Sequence, residues 1–276
     1  MMRAQMIFLR MRKLLFLLAF PLLLFPLQAR AATGWRLPIL MFHHVQPLTK
    51  RLNPFDTWLS YSPKAFEWVA RFIHDKSISA LKMADLLTFA FDRPAAALTF
   101  DDGYEDFYTY AFPILKKYQL NATVFVITGK LDVPGYLTRV ELLEMQASGL
   151  IEIGSHTVNH VDLTQVNPQK LEEELTVSKK TLEALTGAPV TSFCYPSGRV
   201  NKRVAAAVKK AGYMLARTTR HGFSVNFQSP FLIPTIRMQP SVNLKKVESW
   251  WGFKFAPAAR QSPVSVPAGS SDGRPK

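Results

Sequence analysis

The sequence has almost no cysteine: Cys194 is the only one in 276 residues. That excludes an intrachain disulfide and a zinc site built on several thiolates. A resident metal ion would have to draw on histidine and carboxylate. Histidine is also scarce, with six residues, so a pair of histidines at ligand spacing carries weight. Acidic residues are outnumbered, 20 against 34 basic. Past the N-terminal segment there is no Lys/Arg-rich run and no internal repeat, so neither a basic nucleic-acid arm nor a solenoid is indicated. A membrane-spanning helix needs roughly 20 apolar residues. The apolar run at residues 14–27 has fourteen, interrupted by Pro21 and Pro26. Hydrophobic residues make up 48% and charged residues 20%, which suits a globular chain with a large core and excludes wholesale disorder.

That apolar run has a basic start (Arg3, Arg10, Arg12, Lys13) and is followed by Ala29-Arg30-Ala31. Basic, apolar, then A-x-A is the layout of a secretory signal peptide. Residues 1–31 are therefore expected to be a signal, with an uncleaved anchor as the alternative. The rest is expected to be exported: periplasmic, secreted or at the cell surface. Membrane contact is expected only through an uncleaved signal. Residues 1–31 hold five basic and no acidic residues, so their removal leaves 29 basic against 20 acidic, a net +9. A basic surface favours an anionic neighbour such as a cell-wall polymer or acidic glycan, or simply solubility. Export removes nucleic acid as a partner, and a monomer is expected. Residues 252–276, rich in Pro, Ser, Ala and Gly, read as a disordered tail. One catalytic domain is left at residues 32–251.

Within it, apolar and β-branched runs predict strands at residues 38–45, 95–100, 122–127, 151–154, 192–195 and 214–218. Ser62-Pro63, Asn167-Pro168 and Asn201 read as helix starts, and Gly149, Gly187 and Gly212 as helix stops. Residues 63–75, 105–118, 139–148, 167–186 and 202–211 are the predicted helices. Residues 46–62, with Pro47, Asn53 and Pro54, read as a loop. Strand and helix alternate, which means parallel strands with crossover helices, in a barrel or a doubly wound sheet. In both, the active site lies at the C-terminal ends of the strands.

Three polar clusters sit just there. Thr99-Phe100-Asp101-Asp102-Gly103-Tyr104 places two adjacent carboxylates at a strand end, one able to bind a metal while the other faces a reacting water. Ser155-His156-Thr157-Val158-Asn159-His160 places two histidines four apart, a spacing that can meet one ion. Asp102, His156 and His160 together would form a two-His, one-carboxylate site with open positions. Phe193-Cys194-Tyr195-Pro196-Ser197-Gly198 makes a tight turn whose backbone N–H groups can face an oxyanion. Each cluster alone would pass for a surface turn or a pair of unrelated histidines.

In this order the three clusters resemble the motifs of the polysaccharide deacetylase domain (NodB homology, carbohydrate esterase family 4), over residues 38–237. The resemblance implies a distorted (β/α) barrel, often of seven strands. By position it implies Asp101 as catalytic base, Asp102, His156 and His160 as ligands of a divalent metal, and the Ser197 N–H as oxyanion donor. Zinc is the expected metal, with Co2+, Ni2+ or Fe2+ as alternatives. The expected reaction is removal of N-acetyl groups from a polysaccharide.

The chain also departs from the pattern. Cys194 stands where many members carry arginine. There is no D-x-x-D-W and no late L-x-H to supply a catalytic acid, since His221 lies in the wrong context. Met41-Phe42-His43-His44-Val45 resembles the first strand of the subgroup that deacetylates poly-β-1,6-linked N-acetylglucosamine, and residues 232–238 resemble its last. His43 is the first choice for the acid and His44 the second, against a purely structural histidine. Arg237 is a candidate for orienting Asp101. Tyr104, Tyr136, Tyr195 and the pair Trp250-Trp251 are candidates for stacking on sugar. The rival readings are an esterase acting on O-acetyl groups of xylan, a metal-free glycan-binding domain and a non-enzymatic envelope protein.

Overall fold

The computed structural model describes residues 35–49, 52–90 and 92–250. The signal segment, the tail and Trp251 lie outside the described residues. Seven parallel strands form the centre: β1 (Ile39–Phe42), β2 (Ala95–Phe100), β3 (Ala122–Val126), β4 (Ile151–Ser155), β5 (Ser192–Cys194), β6 (Leu215–His221) and β7 (Ile233–Arg237). They pair in chain order, and both β7 and β2 pair with β1, so the sheet closes into a (β/α) barrel. Closure is uneven. β4 meets β5 through a single pair, Ser155 and Phe193, and the β6–β7 register is interrupted between Arg217 and His221. An eighth strand, Ser79–Leu81, takes the first half of the β2 edge whose second half pairs with β3.

Helices α1 (Pro63–Asp75), α2 (Phe112–Tyr118), α3 (Arg139–Ala147), α4 (Pro168–Thr186) and α5 (Lys202–Lys210) make the crossovers up to β6. Their starts follow from the sequence. The side chains of Ser62, Thr138, Asn167 and Asn201 each accept the N–H three residues on, an arrangement worth about 1 kcal/mol per cap. α1 buries Phe66, Val69, Ala70 and Ile73, one stripe at helical spacing, against the barrel wall. The expected helix over 105–118 is helical throughout, with a π-helical segment, Phe107–Ala111, leading directly into α2. Among the described residues no helix is long and apolar enough to cross a membrane.

The expected loop 46–62 contains a helix, Pro54–Leu59, capped by Asn53. Asn53-Pro54 is the same cap-and-first-turn signal as Ser62-Pro63, but six residues are too few to display a helical period.

Two cores result. The larger lies between barrel and helices; the smaller fills the barrel with Ile39, Ala95, Ala97, Phe125, Cys194 and Leu215. Alanines on β2 leave room for the Phe125 ring. So does Gly154, where a Cβ would stand 2.6 Å from that ring. Glu152, on β4 beside this core, is held by the Thr123 hydroxyl at 2.8 Å, the Ser192 hydroxyl at 2.6 Å and the Ala84 N–H at 3.0 Å. Burial raises its pKa.

Candidate active site

All the catalytic candidates stand at one end of the barrel, just past the strands that carry them. Asp101 and Asp102 follow β2, His43 follows β1, His156 follows β4, and Ser197 lies three residues past Cys194, the last residue of β5. With Arg237 at the end of β7 they line one cleft of about 610 Å3. The turns that aim them are strained. Of seven non-glycine residues with positive φ among those described, four are Asp102, Thr157, His160 and Ser197. Strain of about 1–3 kcal/mol per residue persists where the surroundings fix it, and it collects at functional sites. The Ser197 turn is closed by the Gly198 N–H to the Tyr195 carbonyl at 2.8 Å, and Ser197 occupies the position usual for glycine.

Asp102 Oδ1 lies 3.3 Å from His156 Nε2 and 3.5 Å from His160 Nε2. His156 Nδ1 donates to the Cys194 carbonyl at 2.7 Å, which leaves Nε2 as the free acceptor. The loop carrying the histidines is tied to α4 by Glu174. Its carboxylate is fully buried and accepts the N–H groups of Val158 and Asn159, each at 2.9 Å, and the Asn159 amide at 2.8 Å.

These donors fit a divalent cation. Ligands about 2.1 Å from one tetrahedral ion stand about 3.4 Å apart, and the two measured separations bracket that value. Asp102 Oδ1 is buried with no hydrogen-bond donor, as a carboxylate oxygen reserved for a cation would be. In the metal-free protein burial opposes its ionisation, but the charge that His156 above all, with His43 and His160, carries when protonated outweighs this and holds its pKa well below the usual carboxylate range.

Asp101 is nearly fully buried and forms an ion pair with Arg217 through Oδ1. Its Oδ2 lies 3.8 Å from His43 Nε2 and receives the Cys194 thiol at 3.7 Å. Arg217 is fully buried on β6, directly opposite Cys194 on β5, with its guanidinium 4.9 Å from the centre of the Phe125 ring. The arginine absent from position 194 is thus supplied by the neighbouring strand. Arg237, the expected partner of Asp101, instead contacts His43 Nε2 at 3.5 Å and covers the Trp58 ring at 4.6 Å. Its place at Asp101 is filled because Arg217 enters from deeper in the barrel.

His43 and His44 separate clearly. His43 faces Asp101; burial, reinforced by Arg237 and Arg217 against the pull of Asp102, lowers its pKa to about 3. His44 turns the other way, bonds Asp106 through Nδ1 and stacks on Tyr104 at 3.7 Å between ring centres.

The aromatic expectations divide. Tyr104 and Tyr136 line the cleft with ring centres 5.1 Å apart. Tyr195 reaches the same cleft but is fully buried. Trp250 packs on Phe223 with 7% exposure, so it offers no platform. Phe55 and Trp58, on the unexpected short helix, stand at the cleft with 63% and 44% exposure. Sequence reasoning missed them because it treated their segment as loop.

Comparison with known proteins places this geometry. The family model for polysaccharide deacetylase matches residues 90–216. YxkH of Bacillus subtilis, named for the same family, is 32% identical over 213 residues, covering 75% of this chain and 73% of its own. A poly-beta-1,6-N-acetyl-D-glucosamine N-deacetylase of Staphylococcus aureus is 27% identical over 217 residues, covering 70% and 73%. The Streptococcus pyogenes deacetylase PplD, solved with acetate, superposes with a TM-score of 0.72 at 29% identity, over 79% of this chain and 98% of that one. The chain belongs to the polysaccharide deacetylase family, and it is an enzyme of that class.

Proposed function

We propose that this protein is an exported, divalent-metal-dependent hydrolase that removes N-acetyl groups from an amino-sugar polymer, with β-1,6-linked poly-N-acetylglucosamine as the first candidate. The observation that carries the reading is the convergence of Asp102, His156 and His160 beside a second, separately held carboxylate, Asp101. The likeness to the staphylococcal poly-N-acetylglucosamine deacetylase supports the choice of polymer. The signal-like N-terminus supports export.

Asp102, His156 and His160 would hold the ion, zinc first. When bound, such an ion supplies a Lewis acid that polarises the acetamide carbonyl and acidifies water. The protein's own groups do the rest. Arg217 fixes Oδ1 of Asp101, so Oδ2 is the oxygen left to accept a proton from the attacking water. The Ser197 N–H, on its strained turn, is the donor for the tetrahedral oxyanion; loss of one such donor costs about 3–4 kcal/mol in other hydrolases. His43 is neutral at rest, because burial holds its pKa near 3. It therefore takes a proton before giving one. Asp101 Oδ2, 3.8 Å away, is the source, and the leaving amine is the acceptor. The products are acetate and a free amino sugar. Tyr104, Tyr136, Phe55 and Trp58 supply ring faces for the polymer.

The test is acetate release from β-1,6-linked N-acetylglucosamine oligomers, chitin oligomers and acetylated xylan. Release from one amino-sugar polymer is expected. Release from xylan alone would transfer the same site to ester hydrolysis, and release from none, with metal bound, would defeat the choice of substrates.

A further inference from the structure

Cys194 is not simply a filler of the barrel. Its sulfur lies 3.7 Å from Asp101 Oδ2 and 3.9 Å from His156 Nε2. These three atoms form a second buried donor group beside Asp102, His156 and His160, and the two groups share His156. A zinc–sulfur bond is about 2.3 Å and bonds to nitrogen or oxygen about 2.1 Å, so donors around one tetrahedral ion stand about 3.6 Å from the sulfur. The observed separations come within a few tenths of an ångström of that.

We propose that Asp101, His156 and Cys194 form an alternative site for a thiophilic divalent cation, and that its occupation blocks the enzyme. One nitrogen lone pair serves one ion, so His156 Nε2 can complete either group but not both. The group with Asp102 offers only oxygen and nitrogen, and suits a harder or borderline ion. The group with Cys194 adds sulfur, which selects soft ions such as Cd2+. As the sulfur–metal bond forms, the thiol proton passes to solvent, and no redox step is involved. The ion would then occupy the Oδ2 that the proposed reaction needs as its base. Arg217 stays on Oδ1 and needs no rearrangement. The blocking effect rests on the functional reading above; the coordination does not.

The test is a Cd2+ titration of the purified full-length protein, freed of other metals and reduced, followed by the ultraviolet thiolate-to-cadmium charge-transfer band. Wild type and Asp102→Asn are expected to show the band at one equivalent, and Cys194→Ser to lack it. Thermal melting of each variant establishes that it is folded. On metal-reconstituted enzyme, Cd2+ is expected to inhibit acetate release at a concentration at least about tenfold lower for wild type than for Cys194→Ser. No band in wild type with Cd2+ shown bound by equilibrium dialysis would overturn the proposal. So would a band lost in Asp102→Asn, which would make the sulfur a fourth ligand of the first group. An enzyme inactive on every polymer would count against the functional reading alone, because the band is read without substrate.

Discussion

Arg217 and Cys194 stand opposite each other on adjacent parallel strands, and both reach the carboxylate of Asp101, the guanidinium at Oδ1 and the thiol 3.7 Å from Oδ2. The arginine comes with its own support. Gly154 lacks a side chain, so the Phe125 ring can cross the barrel, and the guanidinium lies over that ring. The orientation of the proposed base thus depends on a glycine two strands away, on β4.

Removing one member of a buried ion pair leaves an uncompensated charge and costs about 3–5 kcal/mol. Arg217→Met is expected to lower Tm by roughly 6–20 °C, taking about 2–4 °C per kcal/mol for a domain of this size. The double variant Arg217→Met/Asp101→Asn is expected to melt well above the sum of the two single losses. Additive losses in a thermal-melt cycle would mean that the pair is not coupled.

Glu174 is a positioning group for the histidine loop. Glu174→Ala strips the acceptor from two backbone N–H groups and one amide in a turn that already holds two strained residues. Loss of outer partners of metal ligands typically costs 10–100-fold in affinity, and about that reduction is expected in calorimetric zinc titration, with the fold retained. The exposed ion pair Lys170–Glu173 is the control: Lys170→Ala also frees a side contact of Glu174, but is expected to change affinity less than about threefold.

Gly198 has φ +69°, and a Cβ there would sit 2.1 Å from the Thr219 hydroxyl and 2.7 Å from the Thr219 backbone nitrogen. Gly198→Ala is expected to distort the Ser197 turn and destabilise by about 1–3 kcal/mol. Adding Thr219→Ala is expected not to restore activity, since the backbone clash remains. Recovery in the double variant would show that only the side chain was in the way.

In metal-free protein, His43 makes stability depend on acid. Its folded pKa, about 3, lies below the ordinary value of 6.5, so between those values the unfolded chain binds more protons and stability rises with pH. The contribution is full above about pH 6.5 and is lost as pH falls toward 3, at up to about 1.4 kcal/mol per pH unit. The Tm difference between wild type and His43→Gln is expected to grow in favour of wild type from pH 4 to 6.5 and then level off. A difference that is flat across that window would remove the buried neutral histidine from the account.

The sequence carries the barrel through local signals, and they were sufficient where elements are long. Caps at Ser62, Asn167 and Asn201 and the apolar runs of β2 and β3 are legible without tertiary information. The strand Ser79–Leu81 is too short to show alternation, and it exists because an edge of β2 is open to it. The proposed metal donors, Asp102, His156 and His160, could be picked out because each cluster lies within six residues, and the structure brings them together. Arg217 was not: its pairing with Asp101 depends on strand register across more than a hundred residues, and Leu215–His221 otherwise reads as an ordinary strand. Arg237 was chosen for that role from chain position, which does not show how deep a side chain sits in a barrel.

The central claim is that Asp101 acts on the substrate's water while Asp102, His156 and His160 hold the ion. The most direct measurement is zinc content and acetate release, side by side, for wild type, Asp101→Asn and Asp102→Asn on the polymer that wild type deacetylates. The account predicts chelator-sensitive release in wild type, a release rate at least about 100-fold lower in Asp101→Asn with zinc still bound, and loss of both zinc and release in Asp102→Asn. Release by Asp101→Asn near the wild-type rate, or wild-type release that survives complete removal of metal, would contradict it.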